Sequence, residues 1–138
     1  MIFFIKTFLN IIPVAICSRY YLRYKEIIDF DSQHFTSYTK TGFYKNNYVR
    51  FLFHIIHAKT FRSMFFHRIN MTPTYCKYFF KGYNCLIIQK KTTIAKGGIK
   101  FFHPFSTIIN AKYIGQNCTI RNNTTIGVKK SNEVPTIK

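Results

Sequence analysis

Acidic residues are scarce in this chain of 138 residues: four of them, Glu26, Asp29, Asp31 and Glu133, stand against 21 Lys and Arg. A site built on paired carboxylates, or a cation site rich in carboxylate ligands, has little to draw on. Tryptophan is absent and glycine occurs six times, so low-complexity glycine-rich and collagen-like architectures are excluded. The four cysteines, Cys17, Cys76, Cys85 and Cys118, follow no metal-ligand spacing and form no dense disulfide framework, which favours reduced thiols. Ile2 to Cys17 is apolar apart from Lys6, Thr7 and Asn10. It lacks a charged leader and a small-x-small cleavage site, and it is short for a membrane-spanning helix.

What is present is a globular composition, 47% apolar, with a net charge of +17. That length fits one domain with a sizeable core. The charge favours an anionic partner. The bases are spread along the chain, however, and the abundance of Lys, Asn, Ile, Phe and Tyr is also what AT-rich coding produces. Arg19, Arg23 and Lys25, with Tyr20, Tyr21 and Tyr24 between them, follow the apolar segment. They suit residues 2–17 to the cytoplasmic headgroup region of a membrane, or equally to a buried amphipathic helix.

From Asn47 to about Asn70 the period is helical. Val49, Leu52, Phe53 and Ile56, then Phe61, Met64, Phe65 and Ile69, mark the apolar face, and Arg50, His54, Lys59, Arg62 and Arg68 fall largely between. His54, His57 and His67 lie on or near this helix and are expected on its surface. Met71-Thr72-Pro73-Thr74 ends it, because proline blocks continuation.

Beyond Tyr83 the period becomes six. Ile108, Ile114, Ile120 and Ile126 recur without a slip, and Ile88 and Ile94 keep the same step upstream of Gly97-Gly98. Small residues follow four positions on, at Thr92, Gly98, Cys118 and Thr124. A helix needs steps of three and four, and an ordinary strand steps of two. A six-residue unit supplies one short strand and one corner, so three units return the chain above its start and stack isoleucines into one interior column. The resulting fold class is α+β: a helical region over residues 1–80, then stacked three-sided turns over residues 84–138, which the resemblance described next implies are a left-handed parallel β-helix.

The stretch from about residue 86 to 138 resembles the hexapeptide-repeat acyltransferases, in particular their serine acetyltransferase-like branch. The resemblance rests on Gly98-Ile99-Lys100-Phe101-Phe102-His103-Pro104, Thr107-Ile108-Ile109-Asn110-Ala111, Ile114-Gly115-Gln116-Asn117-Cys118-Thr119-Ile120, Thr124-Thr125-Ile126-Gly127 and Pro135-Thr136-Ile137. Phe61 to Ile69 is similar, more loosely, to branch members associated with capsular or exopolysaccharide synthesis. The resemblance implies a cytoplasmic, homotrimeric O-acetyltransferase, peripheral at the membrane if residues 2–17 touch it. Acetyl-CoA would be the donor, lying between neighbouring β-helices, and His103 the general base. Gly127, Lys129 and Lys130 are the expected cofactor contacts, the lysines meeting its phosphates, and no metal is expected.

The chemistry is consistent with that role. An alcohol attacks a thioester poorly unless its proton leaves as the bond forms, and a neutral imidazole removes it at cytosolic pH, for roughly 10²–10⁴-fold in rate. Phe102 stands where the serine-specific enzymes have aspartate, and Val134-Pro135-Thr136-Ile137 lacks their second histidine. These departures favour a sugar hydroxyl over serine. The chain stops at Lys138, where the family continues, so the β-helix is expected to be incomplete. Alternatives are serine O-acetylation for cysteine biosynthesis, an inactive truncated remnant, and a basic nucleic-acid or membrane-surface binding protein. No ribonucleoprotein motif or zinc spacing supports a nucleic-acid partner.

Overall fold

A computed structural model describes residues 10–36, 45–70, 76, 78, 80–128 and 133–138. Four helices precede eight short strands. The helices are α1 (Ile11–Arg23), α2 (Lys25–Thr36), α3 (Asn47–His57) and α4 (Lys59–Arg68). The strands are β1 (Leu86–Ile88), β2 (Thr93–Ile94), β3 (Ile99–Phe102), β4 (Thr107–Ile109), β5 (Tyr113–Ile114), β6 (Cys118–Arg121), β7 (Thr125–Ile126) and β8 (Thr136–Ile137).

The single helix expected over Asn47 to Asn70 is two helices, broken at Ala58, whose backbone is extended (φ −109°, ψ 100°). No proline or glycine causes the break. The Arg62 guanidinium donates to the carbonyls of Ile55 and Ile56, both at 2.9 Å, and to that of Lys81 at 2.7 Å. It thereby satisfies acceptors that the end of α3 leaves open. Asn46 caps the other end of α3, its side chain accepting from the Tyr48 and Val49 amides. The proposed stop at residues 71–74 lies outside the described residues.

The helices enclose one core of Cys17, Tyr21, Ile28, Phe51, Ile55, Phe61 and Phe65, with Cys76 and Phe80 joining it. The buried face of α3 is Phe51, His54, Ile55 and Ile56, whereas Val49 is exposed. His54 is therefore not a surface histidine. It is fully buried, and its Nε2 lies 2.9 Å from the Thr36 hydroxyl. His67 is half-buried, with Nε2 2.8 Å from the Thr92 carbonyl, and His57 is also half-buried.

The strands form three small parallel sheets, ordered β1-β4-β7, β2-β5-β8 and β3-β6. Every strand pairs with the one three places later, so the chain moves from sheet to sheet and returns beside itself at each third strand. Register stacks Ile88, Ile109 and Ile126 in one sheet and Ile94, Ile114 and Ile137 in the next. Phe101 lies over Ile120 in the third. Apart from Ile137, these side chains, with Leu86, Ile99, Ala111 and Met64 of α4, make up the second core.

One member of the six-step series is displaced. Ile108 is 40% exposed, whereas Thr107 and Ile109 on either side of it are fully buried. Alternation along β4 fixes this, because Thr107 pairs with buried Leu86 and Ile109 with Ile88. The inward step from Ile109 to Ile114 is five residues, and the series regains its step of six from Ile114 to Ile120.

Corners between strands are turned by residues with positive φ. Gly97 (85°), Asn117 (58°) and Asn123 (54°) each stand three positions after an inward isoleucine. Asparagine tolerates this left-handed conformation better than other non-glycine residues, which suits it to corners. Asn-for-Gly substitution at this offset is a period-six signal that the isoleucines alone do not reveal.

Candidate active site

His103 follows β3 directly, at the bend between β3 and β4. Pairing of β3 with β6, from Ile99 beside Cys118 to Phe102 beside Arg121, holds the strand. Buried Pro104 fixes the chain beyond it. The φ of His103 is 47°. Gly97 occupies the same region six residues earlier, so this conformation belongs to the turns between successive strands and carries no catalytic meaning by itself.

The imidazole of His103 is exposed at the edge of a cavity of about 350 Å³. Phe101, Phe102, Lys100 and Pro104 line it from the strand side; Phe35 of α2, Thr60 of α4 and Tyr83 close it from the helical side. It is thus an aromatic cleft at the junction of the two cores, with His103 and Lys100 among its walls. Among the described residues, the His103 side chain has no hydrogen-bond partner, which leaves both ring nitrogens open to a ligand.

Two of the four carboxylates, those of Asp29 and Asp31, are committed away from His103. Asp29 accepts from the Tyr21 hydroxyl at 2.8 Å and from the Asn47 amide at 3.2 Å. Asp31 pairs with Arg68 at 2.8 Å, with both side chains almost wholly buried. Phe102, which directly precedes His103, is half-buried and contributes to the cavity wall.

Gly127 lines a different cleft, of about 710 Å³, with Lys91, Asn110, Lys112 and Glu133. A side chain at Gly127 would meet nothing within 4 Å, so no close packing requires glycine there. His103 and Gly127 line separate cavities, and Lys129 and Lys130 lie outside the described residues. Lys91 and Lys112, which the sequence did not single out, also line the Gly127 cleft, one just before β2 and the other just before β5, two strands that pair. Their places just ahead of Thr93-Ile94 and Tyr113-Ile114 were the available signal. Phe35, Thr60 and Tyr83 had none, because only the packing of helices on strands brings them to His103.

No group of three or more His, Cys, Asp or Glu able to hold a metal ion occurs among the described residues. The four cysteines are free thiols, and burial pushes those of Cys17 and Cys76 up from their ordinary pKa. Comparison with family models, with curated proteins and with solved structures finds no match for this chain.

Proposed function

We propose that the strands are coils of a left-handed β-helix and that the protein is an acetyl-CoA-dependent O-acetyltransferase acting on a sugar hydroxyl in surface polysaccharide synthesis. The observation that carries this reading is His103, exposed beside an aromatic cleft, on a scaffold whose strands pair every third place. His103 takes the proton of the acceptor hydroxyl as its oxygen attacks the thioester carbonyl. The thiolate of coenzyme A leaves and the imidazolium returns the proton to it, so no covalent enzyme intermediate is needed. Backbone N–H groups are the natural donors to the tetrahedral oxyanion.

Aromatic walls support a sugar acceptor. Phe35, Tyr83, Phe101 and Phe102 offer apolar faces for the C–H side of a pyranose, whereas serine would find Lys100 for its carboxylate and, among the described wall residues, no carboxylate for its amino group. The donor would run from this cleft along the coil towards Lys91, Lys112 and Gly127, completed by a neighbouring copy in a homotrimer.

The test is acetyl transfer from acetyl-CoA to free sugars, oligosaccharides and L-serine, with release of free thiol as the readout. Transfer to a carbohydrate should fall roughly 10²–10⁴-fold in His103→Ala. Equal turnover by that variant removes His103 from the mechanism, and preference for L-serine replaces the acceptor.

A further inference from the structure

Helix α1 is apolar on two faces, and the fold covers one of them. Pro13, Cys17 and Tyr21 point into the helical core. On the other side Ile11 is 52% exposed, Ile12 57% and Leu22 71%, with Ala15, Arg19 and Arg23 exposed among them. At 100° per residue Ile11, Ala15 and Leu22 form a narrow stripe roughly 16 Å long, and Ile12, Arg19 and Arg23 border it on one side. An exposed apolar stripe rimmed by basic residues marks an interaction face.

Charge identifies what covers the second face. The sequence of α1 contains no acid, and Arg19 and Arg23 stand in its second half, with Lys25 opening α2 just beyond. A protein partner would need a matched acidic groove. An anionic bilayer supplies negative headgroups and an apolar layer in the order the helix presents them. The sequence just ahead of the helix, with Ile2, Phe3, Phe4, Ile5, Phe8 and Leu9, continues the apolar character. No helix among the described residues is long and apolar enough to cross a membrane; the one-sided stripe with basic residues beside it is the pattern of a helix lying in the surface.

We propose that the outward face of α1 docks on an anionic lipid bilayer, with Ile11, Ile12 and Leu22 below the headgroups and Arg19 and Arg23 among them. This is independent of the acetyl-transfer reading, since no residue of the His103 cleft takes part.

The test is cosedimentation of the full chain with phosphatidylcholine vesicles containing or lacking phosphatidylglycerol. The wild type should pellet with the anionic vesicles and remain in solution with the neutral ones. Arg19→Gln/Arg23→Gln should weaken partitioning roughly thirtyfold, at about fivefold per basic side chain. Ile12→Ser/Leu22→Ser should weaken it at least about tenfold, with the circular dichroism spectrum unchanged because both residues are exposed. Equal binding to neutral vesicles, or none to either, overturns the proposal. So does a lipid-free oligomer that Ile12→Ser/Leu22→Ser dissociates, because the face would then belong to a second copy.

Discussion

His54 shows how a residue's chemistry changes once its surroundings are known. Its imidazole is enclosed by Phe35, Phe53 and Phe61, with ring centroids 5.0, 5.8 and 5.3 Å away. Burial, reinforced by the charge of Arg50, pushes its pKa down to about 4. The unfolded chain therefore binds a proton near pH 6.5 that native His54 refuses until about pH 4. This contribution to stability is intact above pH 6.5 and is lost as the pH falls towards 4, by about 3 kcal/mol in all. Urea unfolding followed from pH 7.5 to 4.5 should show the decline, and His54→Gln should flatten it. His34 and His67 are shifted down by burial as well, so some slope remains in the variant. An identical slope in the two proteins would show that His54 does not titrate in this window. Nothing in the sequence marked this histidine as buried, because its place between Phe53 and Ile55 satisfies either face of a helix.

Elements were legible where a period was local and illegible where a distant side chain decided. The six-step from Ile114 to Ile126 announced the stacked strands, since each unit carries its own inward residue and corner. The same counting failed at Ile108, where two isoleucines stand side by side and pairing with Leu86 and Ile88 selects Ile109. The break at Ala58 was equally hidden, because what stabilises it is Arg62. That guanidinium is buried without a carboxylate, stacked 4.5 Å from the centre of the Phe80 ring and held by three carbonyls. Two of those carbonyls lie at the C-terminus of α3, where the helix dipole favours a cation. Lysine keeps the charge but cannot reach the Ile55 and Lys81 carbonyls together. Arg62→Lys should therefore cost about 3 kcal/mol through the acceptors it strands, read as a lower urea midpoint at constant slope. An unchanged midpoint would mean that the turn between α3 and α4 is held by their hydrophobic contacts alone.

At the scale of the whole molecule, the four acids matter through where they are used. Two ion pairs occur among the described residues: Arg68 with Asp31, and Lys96 with Glu26. Both involve α2, and both act at the junction between the helices and the strands. Arg68 also donates to the carbonyls of Ile94 and Ala95, so one guanidinium fastens α2 and α4 to the end of β2. The fit there is close: a Cβ on Gly98, whose φ is +60°, would lie 2.5 Å from Met64 Cε and 2.9 Å from Asp31 Oδ1. Because the His103 cavity is walled by residues from both sides of this junction, the clamp also sets its shape. The two pairs should contribute very differently. Lys96 and Glu26 are 51% and 72% exposed, so solvent screens them, and Lys96→Met should cost about 0.5 kcal/mol or less. Arg68→Met leaves the Asp31 carboxylate buried without its partner and strands two carbonyls, a loss of about 3–5 kcal/mol. Asp31→Asn/Arg68→Met should recover part of that loss, since the amide costs less to bury than the orphaned charge. Guanidinium unfolding of the four proteins decides the matter: similar losses for Lys96→Met and Arg68→Met would show that screening, and not burial, governs the joint between the two cores.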